Sequence, residues 1–359
     1  MRIGISTGGG DCPGLNAVIR AAVKTAVGTL GHEAVGVEDG LEGLLRPNKL
    51  VQLSPARVRG LLPRGGTILG ANNRANPFAY PVRGAEGVQE QDISDAVLGR
   101  LETLGIDAMM FIGGDGTQTI AQRLREKGLQ VVGVPKTIDN DLMATDYTFG
   151  FDTAVNIAME ALDRLHTTAE SHDRVLLLEV MGRDAGWIAM HAGLAGGADV
   201  ILLPEIPWRF DAVLDKLERR RRAGTTFSIV VVAEGATELG GEAVVQEEAL
   251  PGRVRRLGGA AERLADRLTD AGWEARAIVL GHIQRGGTPT AFDRVLATRL
   301  GHHAARMMDE GRYGRMAALR GTDIVDVDLT EAAGKVKVIG PDSSLLHAAR
   351  DIDVSLGEG

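Results

Sequence analysis

The chain has 359 residues and a formal net charge of −8, with 44% hydrophobic, 25% charged and 4% aromatic residues. An acidic, aromatic-poor chain lacks the clustered cations and stacking platforms of nucleic-acid binding, and no run of about 18 apolar residues offers a membrane span. The single cysteine, Cys12, permits no intrachain disulfide and suits a reducing cytoplasm, and the length favours two domains over one core.

The start, MRIGISTGGG, reads as a strand and a glycine turn rather than a secretory signal. The turn continues as Thr7-Gly8-Gly9-Gly10-Asp11-Cys12-Pro13-Gly14, and Val18, Ala22 and Val27 then mark the apolar face of a helix over about 15–30. Gly-Lys-Ser/Thr is missing, so this is not a Walker A loop, and Pro13 stands where a dinucleotide fingerprint needs its third glycine. The plain alternative is a tight strand-to-helix connection. A strand is predicted over 33–37. A short helix is predicted over 54–62, with Ser54 as cap and Pro55 at the first position. A glycine-flanked segment, 65–74, ends on Arg74, and 92–104 has helical spacing.

The stretch 109–141, MMFIGGDGTQTIAQRLREKGLQVVGVPKTIDND, concentrates the chemistry. The apolar run Met109-Met110-Phe111-Ile112 reads as a strand and Gly113-Gly114-Asp115-Gly116-Thr117 as the turn into a helix over about 117–127, stopped by Gly128. Small residues at a helix start leave N–H groups and the dipole facing an anion, which suits phosphate. A second strand, 129–134, delivers Pro135-Lys136-Thr137-Ile138-Asp139-Asn140-Asp141. In an open parallel sheet both loops leave the same edge, where ligands bind.

Downstream, 151–166 has a strong apolar helical face with Asp152 as the expected cap. Residues 174–180 form a buried strand leaving through Met181-Gly182-Arg183-Asp184-Ala185-Gly186. A helix over 187–194, a strand over 199–203 and the helix DAVLDKLERRRR follow, and the run Arg219–Arg222 suits a solvated helix end. A buried strand over 227–233 ends at Glu234-Gly235, 258–271 is helical, and a strand over 274–280 exits into Gly281-His282-Ile283-Gln284-Arg285-Gly286-Gly287. A helix over 291–310, a weak strand over 335–339 and a short helix over 343–350 complete the chain. The alternation implies an α/β fold of two doubly wound, mainly parallel sheets, each a three-layer αβα unit.

The carboxylates divide into two jobs. Mg²⁺ takes one or two carboxylates together with phosphate oxygens, which suits Asp115 on a phosphate turn. Transfer to an alcohol needs a carboxylate to accept the hydroxyl proton, and Asp139 or Asp141 can serve. Lys136 beside them favours their ionised forms and can stabilise the moving phosphoryl group. The bland reading of PKTIDND is an Asx-rich turn. Arg174, Arg183, Arg276 and Arg285, at strand starts and ends, have the fork geometry that clamps a phosphorylated substrate, although each alone is more often a surface ion pair. The eight histidines show no metal spacing. Cys12 has no identifiable relay and reads as a small packing residue.

GGDGT, PKTIDND, EVMGRDAGW and GHIQRGG in this order resemble the 6-phosphofructokinases over roughly 1–305. GGDGT alone is shared with NAD and diacylglycerol kinases, but the four together are highly specific. The resemblance implies an ATP-dependent, glycolytic phosphotransferase acting on fructose 6-phosphate, with a domain of 1–149 plus about 284–334 for the donor and one of 150–283 plus about 335–359 for the sugar phosphate. It implies Asp139 as the base for the sugar 1-hydroxyl, with Thr137, Asp141 and Arg183 beside it and Asp115 organising Mg²⁺. Gly10, Arg74 and Gly114–Thr117 would meet the donor. Met181, Gly182, Arg183 and Glu234 would hold the fructose moiety, and His282 and Arg285 the 6-phosphate. Arg174 and Arg276 would reach that phosphate from a neighbouring subunit, so the site would exist only in a homodimer or homotetramer. For the donor, Gly116 favours ATP, because pyrophosphate-dependent relatives often carry an aspartate there that would crowd the α-phosphate. Lys136 resembles the pyrophosphate-dependent enzymes, and Leu41 stands where an aromatic residue often packs on adenine. A noncatalytic sugar-phosphate-binding regulator on the same fold would lack the base or the metal aspartate, and both are present.

Overall fold

Two mainly parallel sheets carry the chain, and the computed structural model describes residues 1–72, 75–84, 87–247 and 256–358. The chain opens with β1 (Arg2–Thr7), α1 (Leu15–Ala26), β2 (Glu33–Val37), the short α2 (Glu42–Leu45) and β3 (Leu50–Leu53). The antiparallel pair β4 (Tyr80–Gly84) and β5 (Gly87–Gln91) precedes α3 (Ser94–Thr103), β6 (Ala108–Gly113), α4 (Asp115–Glu126) and β7 (Val131–Pro135). Next come α5 (Phe151–His172), β8 (Val175–Val180), α6 (Trp187–Ala195), β9 (Val200–Leu202), α7 (Phe210–Arg222) and β10 (Ser228–Ala233). The small pair β11 (Val245–Glu247) and β12 (Arg256–Leu257) is followed by α8 (Ala260–Asp270), β13 (Ala275–Val279) and a 3₁₀ turn, Gly281–Arg285. The chain finishes with α9 (Ala291–Asp309), β14 (Arg315–Arg320), β15 (Asp323–Asp328), α10 (Leu329–Ala332) and α11 (Ser344–Asp351).

The larger sheet has the order β15-β14-β7-β6-β1-β2-β3 and the smaller β13-β8-β10-β9. The smaller sheet is parallel throughout, whereas the larger is parallel at its centre with antiparallel edges, β2–β3 and β14–β15. A sheet covered on both faces needs apolar residues on both, and β6 is buried along its whole length. Met110 and Ile112 pack in the cluster that includes α1 and α9, and Met109 and Phe111 in the cluster with Leu101, Leu124 and Leu329 on the other face. Each such side chain contributes about 1.5–3 kcal/mol when fully buried. The smaller sheet is flanked by α5 and α6 and by α8.

The structure departs from the sequence expectations at particular places. Residues 54–62 form turns rather than a helix, with Gly60 at φ 77°. The first helix stops at Ala26 instead of reaching Leu30. α5 runs on to His172, and Asp152 does not cap it. Its N–H groups at Gly150 and Thr153 donate instead to Asp293 from α9, while Asp152 accepts from the Thr290 hydroxyl. The segment 335–339 joins no sheet and makes one isolated bridge, Val336 with Leu142. Several short elements have no counterpart in the sequence expectations, among them α2, β3, the pairs β4–β5 and β11–β12, and α10. β14 and β15 extend the larger sheet through β7, and the alternating pattern of DIVDVD is their local trace.

Candidate active site

The C-terminal edges of both sheets open onto one cleft of about 450 Å³. The larger sheet contributes Gly8, Gly9 and Gly10 after β1, Gly114–Thr117 after β6, and Lys136, Thr137, Asp139 and Asp141 after β7. The smaller sheet contributes Arg183 after β8, and Arg285 comes from the 3₁₀ turn after β13.

Local packing explains why the loops converge. Gly113 admits no side chain, since a Cβ there would lie 2.2 Å from the Thr117 hydroxyl, so the strand end closes directly on the first turn of α4. No side chain caps α4 at Gly114, which leaves its start facing the cleft. The buried Gln118 donates from Nε2 to Gly113 O and Val134 O, locking the exits of β6 and β7 together. On the smaller sheet, a Cβ at Gly235 would lie 1.9 Å from Arg183 O; glycine allows the β10 exit to press on the β8 exit, where Gly235 N donates to Gly182 O. Gln284, fully buried, accepts from Met181 N at 2.8 Å and joins that turn to the 3₁₀ turn. Gln118 and Gln284 were not singled out in the sequence, because a lone glutamine has no motif value until its acceptors or donors are known.

Burial and the charge of Asp141 push Asp139 up to about 6, against the opposing pull of Arg285, Lys136 and Arg183. Lys136 therefore offsets only part of the shift. Asp139 Oδ1 is buried and has no hydrogen-bond partner among the described residues. An acceptor left open in a cleft is costly unless a ligand completes it. Lys136 is itself buried, with its ammonium donating to Gly10 O at 2.7 Å, and burial lowers its pKa. Burial first, and the Asp139 charge second, push Glu234 up to about 7, while Arg183 pulls it back. Cys12 is fully buried, and its thiol is pushed up to about 12, as a packing residue should be.

Asp115 stands at the first position of α4, its carboxylate accepting from Gly334 N at 2.6 Å. Burial raises its pKa, against hydrogen bonds from the Gly334 and Lys335 N–H groups. No group of three or more His, Cys, Asp or Glu with metal-site geometry occurs among the described residues. A divalent ion delivered with phosphate oxygens needs only one or two carboxylates, and Asp115 on the cleft wall fits that requirement.

Not every predicted residue reaches the cleft. Arg174 precedes β8 and Met181 follows it, so they are separated by the strand's length, roughly 20 Å. Arg174 pairs with Glu274 at 2.6 Å, and Arg276, in register beside β8, lies 3.8 Å from the same carboxylate. His282 is exposed on the 3₁₀ turn, and Arg285 reaches across to Asp11 O at 3.4 Å. Arg74 lies outside the described residues. Arg219–Arg222 behave as a helix end with partners: Arg220 pairs with Asp199, Arg222 with Glu218, and Arg221 stacks over Trp273. No helix among the described residues is long and apolar enough to cross a membrane.

Residues 2–308 match the family model described as "Phosphofructokinase". The chain is 51% identical over 359 residues to an ATP-dependent 6-phosphofructokinase of Chloroflexus aurantiacus, covering 100% of this chain and 98% of the relative. It is 52% identical over 345 residues to a pyrophosphate–fructose 6-phosphate 1-phosphotransferase of Streptomyces coelicolor, covering 95% and 97%. Among solved structures, Pichia pastoris phosphofructokinase superposes with a TM-score of 0.80 at 32% identity, covering 92% of this chain. This chain spans about a third of that one, 35%. Family match, full-length relatives and fold agree, and the chain belongs to the phosphofructokinase family.

Proposed function

We propose that the chain is an ATP-dependent 6-phosphofructokinase, transferring the γ-phosphoryl group of ATP to the 1-hydroxyl of fructose 6-phosphate to give fructose 1,6-bisphosphate and ADP. The observation that carries the reading is Asp139, whose buried Oδ1 has no partner among the described residues and which lines the same cleft as the two glycine turns and Arg183. With a pKa near 6 it is ionised at neutral pH and accepts the hydroxyl proton as the oxygen attacks phosphorus. Thr137, whose hydroxyl accepts from Asp139 N, shapes the turn beneath it. Gly10 and Gly114–Thr117 receive the donor phosphates, and Lys136, Arg183 and Asp141 set the charge around the transferring group. Asp115 would hold Mg²⁺, which when bound neutralises developing charge on the phosphates.

Met181, Gly182 and Glu234 hold the sugar, and His282 and Arg285 hold its 6-phosphate. Arg174 and Arg276 lie too far from the cleft to act in their own chain, which supports their service to a neighbouring subunit in a homo-oligomer. The sheet content supports a donor domain of 1–149 with about 284–334, since β14 and β15 pair through β7. It supports a sugar domain of 150–283 with about 335–359, since Ser355 bridges to Val200. A cytoplasmic, glycolytic role follows from this reading.

Gly116 supports ATP. A Cβ there would meet nothing within 4 Å among the described residues, which leaves room beside the phosphate turn. The cleft also continues past that turn to Gly40, Leu41, Ala75, Asn76 and Ile120, a partly apolar wall that pyrophosphate has no atoms to use. Pyrophosphate as donor is the second reading, favoured by Lys136. The test is product identity: with fructose 6-phosphate, ATP and Mg²⁺, phosphorus NMR should show a new 1-phosphate in equal amount to ADP. Transfer to another position, or none, contradicts the proposal.

A further inference from the structure

Residues 334–339 lie beyond residue 308, where the family match ends, and Val336 among them lines the cleft. Three site elements are tied to this short segment. Gly334 N donates to the Asp115 carboxylate at 2.6 Å. Val336 bridges to Leu142, and Lys337 N donates to Asp141 O at 2.7 Å. Ile339 N donates to Glu205 Oε1 at 3.0 Å, and the same carboxylate accepts from Gly186 N at the end of the β8 exit turn.

Lys337 is the centre of the segment. Its ammonium donates to Asn140 Oδ1 at 3.1 Å, Thr145 O at 2.9 Å and Asp146 O at 3.0 Å, which satisfies all three of its donors. It also sits 5.5 Å from the Trp187 ring, and Trp187 Nε1 donates to Lys337 O at 2.8 Å. Asn140 lies between Asp139 and Asp141 in a left-handed conformation, φ 51°, sparsely populated by residues other than glycine. Its Oδ1 accepts from Thr148 N as well as from Lys337. A left-handed residue at this place, which asparagine tolerates, sets the direction in which Asp139 leaves the backbone, and the hydrogen bonds at Asn140 Oδ1 tie it there.

We propose that segment 334–339 is a strap that fixes the catalytic turn, with Lys337 as a positioning residue that holds Asn140 and thereby aims Asp139. The inference rests on the reading of Asp139 as base. Lys337 touches no reacting atom. Its contribution is to turnover rather than to binding, because it fixes a turn whose misplacement by a fraction of an ångström is felt at the reacting centre.

The experiment is steady-state kinetics of Lys337→Met, Lys337→Gln and Trp187→Phe in the full-length protein, with the melting temperature of each. Lys337→Met should lower kcat at least tenfold, with KM for both substrates within about twofold of the parent. Lys337→Gln keeps an N–H donor and should recover part of the loss, so that kcat follows donor capacity rather than melting temperature. Trp187→Phe frees only the strap's far side and should lower kcat several-fold at unchanged KM, and it decides the matter if Lys337→Met does not fold. A parent-like kcat in folded Lys337→Met, or in Trp187→Phe where Lys337→Met cannot be folded, overturns the proposal. So does a rise in KM in place of the fall in kcat. Asp139→Asn made alone separates this failure from failure of the base: a parent-like kcat there removes the reading on which the strap depends.

Discussion

The buried Lys136 ammonium and the Gly10 carbonyl are joined by a 2.7 Å hydrogen bond. That contact fastens the first glycine turn to the loop carrying Asp139, so a single cation shapes the turn and acts on Asp139, the proposed base. Lys136→Met removes one of the three cations that oppose the rise of Asp139's pKa. The anion becomes less favoured, and the acid limb of the kcat profile should move to higher pH. At neutral pH kcat should fall roughly 10- to 100-fold. An acid limb that stays in place would show that Lys136 does not act on the base.

Asp139→Asn should lower kcat by roughly 10²–10⁴-fold with little change in KM. Its effect on stability has the opposite sign. Asp139 and Glu234 are raised to about 6 and about 7, so between their unfolded and folded pKa values the native state binds more protons than the unfolded state. Their stabilisation is therefore present at low pH and lost as pH rises through those values. At pH 8 Asp139→Asn should stabilise the unliganded protein, on the order of 1–3 kcal/mol, and at pH 4 much less. Thermal melts at the two pH values check this, and a variant less stable at pH 8 would contradict it.

Gly116→Asp tests the donor wall. The new side chain enters open space at the second position of α4, where a carboxylate suits the helix start, so folding should survive. KM for ATP should rise at least tenfold, while pyrophosphate, which has no α-phosphate substituent to clash, should be affected less. Equal effects on both donors would remove Gly116 as the discriminating position.

Arg276→Ala should raise KM for fructose 6-phosphate roughly 10- to 100-fold, the worth of a charged hydrogen bond to phosphate, and leave donor KM near its original value. The sharing of sites between subunits has its own readout. Mixed oligomers of Arg276→Ala and Asp139→Asn chains contain some sites with neither defect, and they should be more active than either variant alone. Activity no greater than the sum of the two would place Arg276 outside the partner's site.

The phosphate and base loops were legible because their signals are local. Met109–Ile112, the glycine turn and the helix after it follow one another within a few residues, and the structure has them as β6 and α4, with Gly128 at φ 99° after the helix. PKTIDND lies directly beyond β7. Long-range contacts were less legible. The cap of α5 is Asp293, more than a hundred residues away, and no local pattern distinguishes it from the adjacent Asp152. Ser54-Pro55 has a good helix start, yet Gly60 at φ 77° breaks the segment into turns. The strap has the sequence pattern of a weak strand because its apolar alternation is real. Its hydrogen bonds go to Asp115, Asp141 and Glu205 instead of to a sheet neighbour.

Phosphoryl transfer from ATP to fructose 6-phosphate in this cleft is the activity proposed for the chain. It is tested most directly by initial rates of the purified protein with fructose 6-phosphate and Mg²⁺, using ATP and pyrophosphate side by side. Turnover with ATP is expected at a kcat/KM well above that with pyrophosphate, because a Cβ at Gly116 meets nothing among the described residues and the cleft continues to Leu41. Turnover with pyrophosphate alone would contradict it.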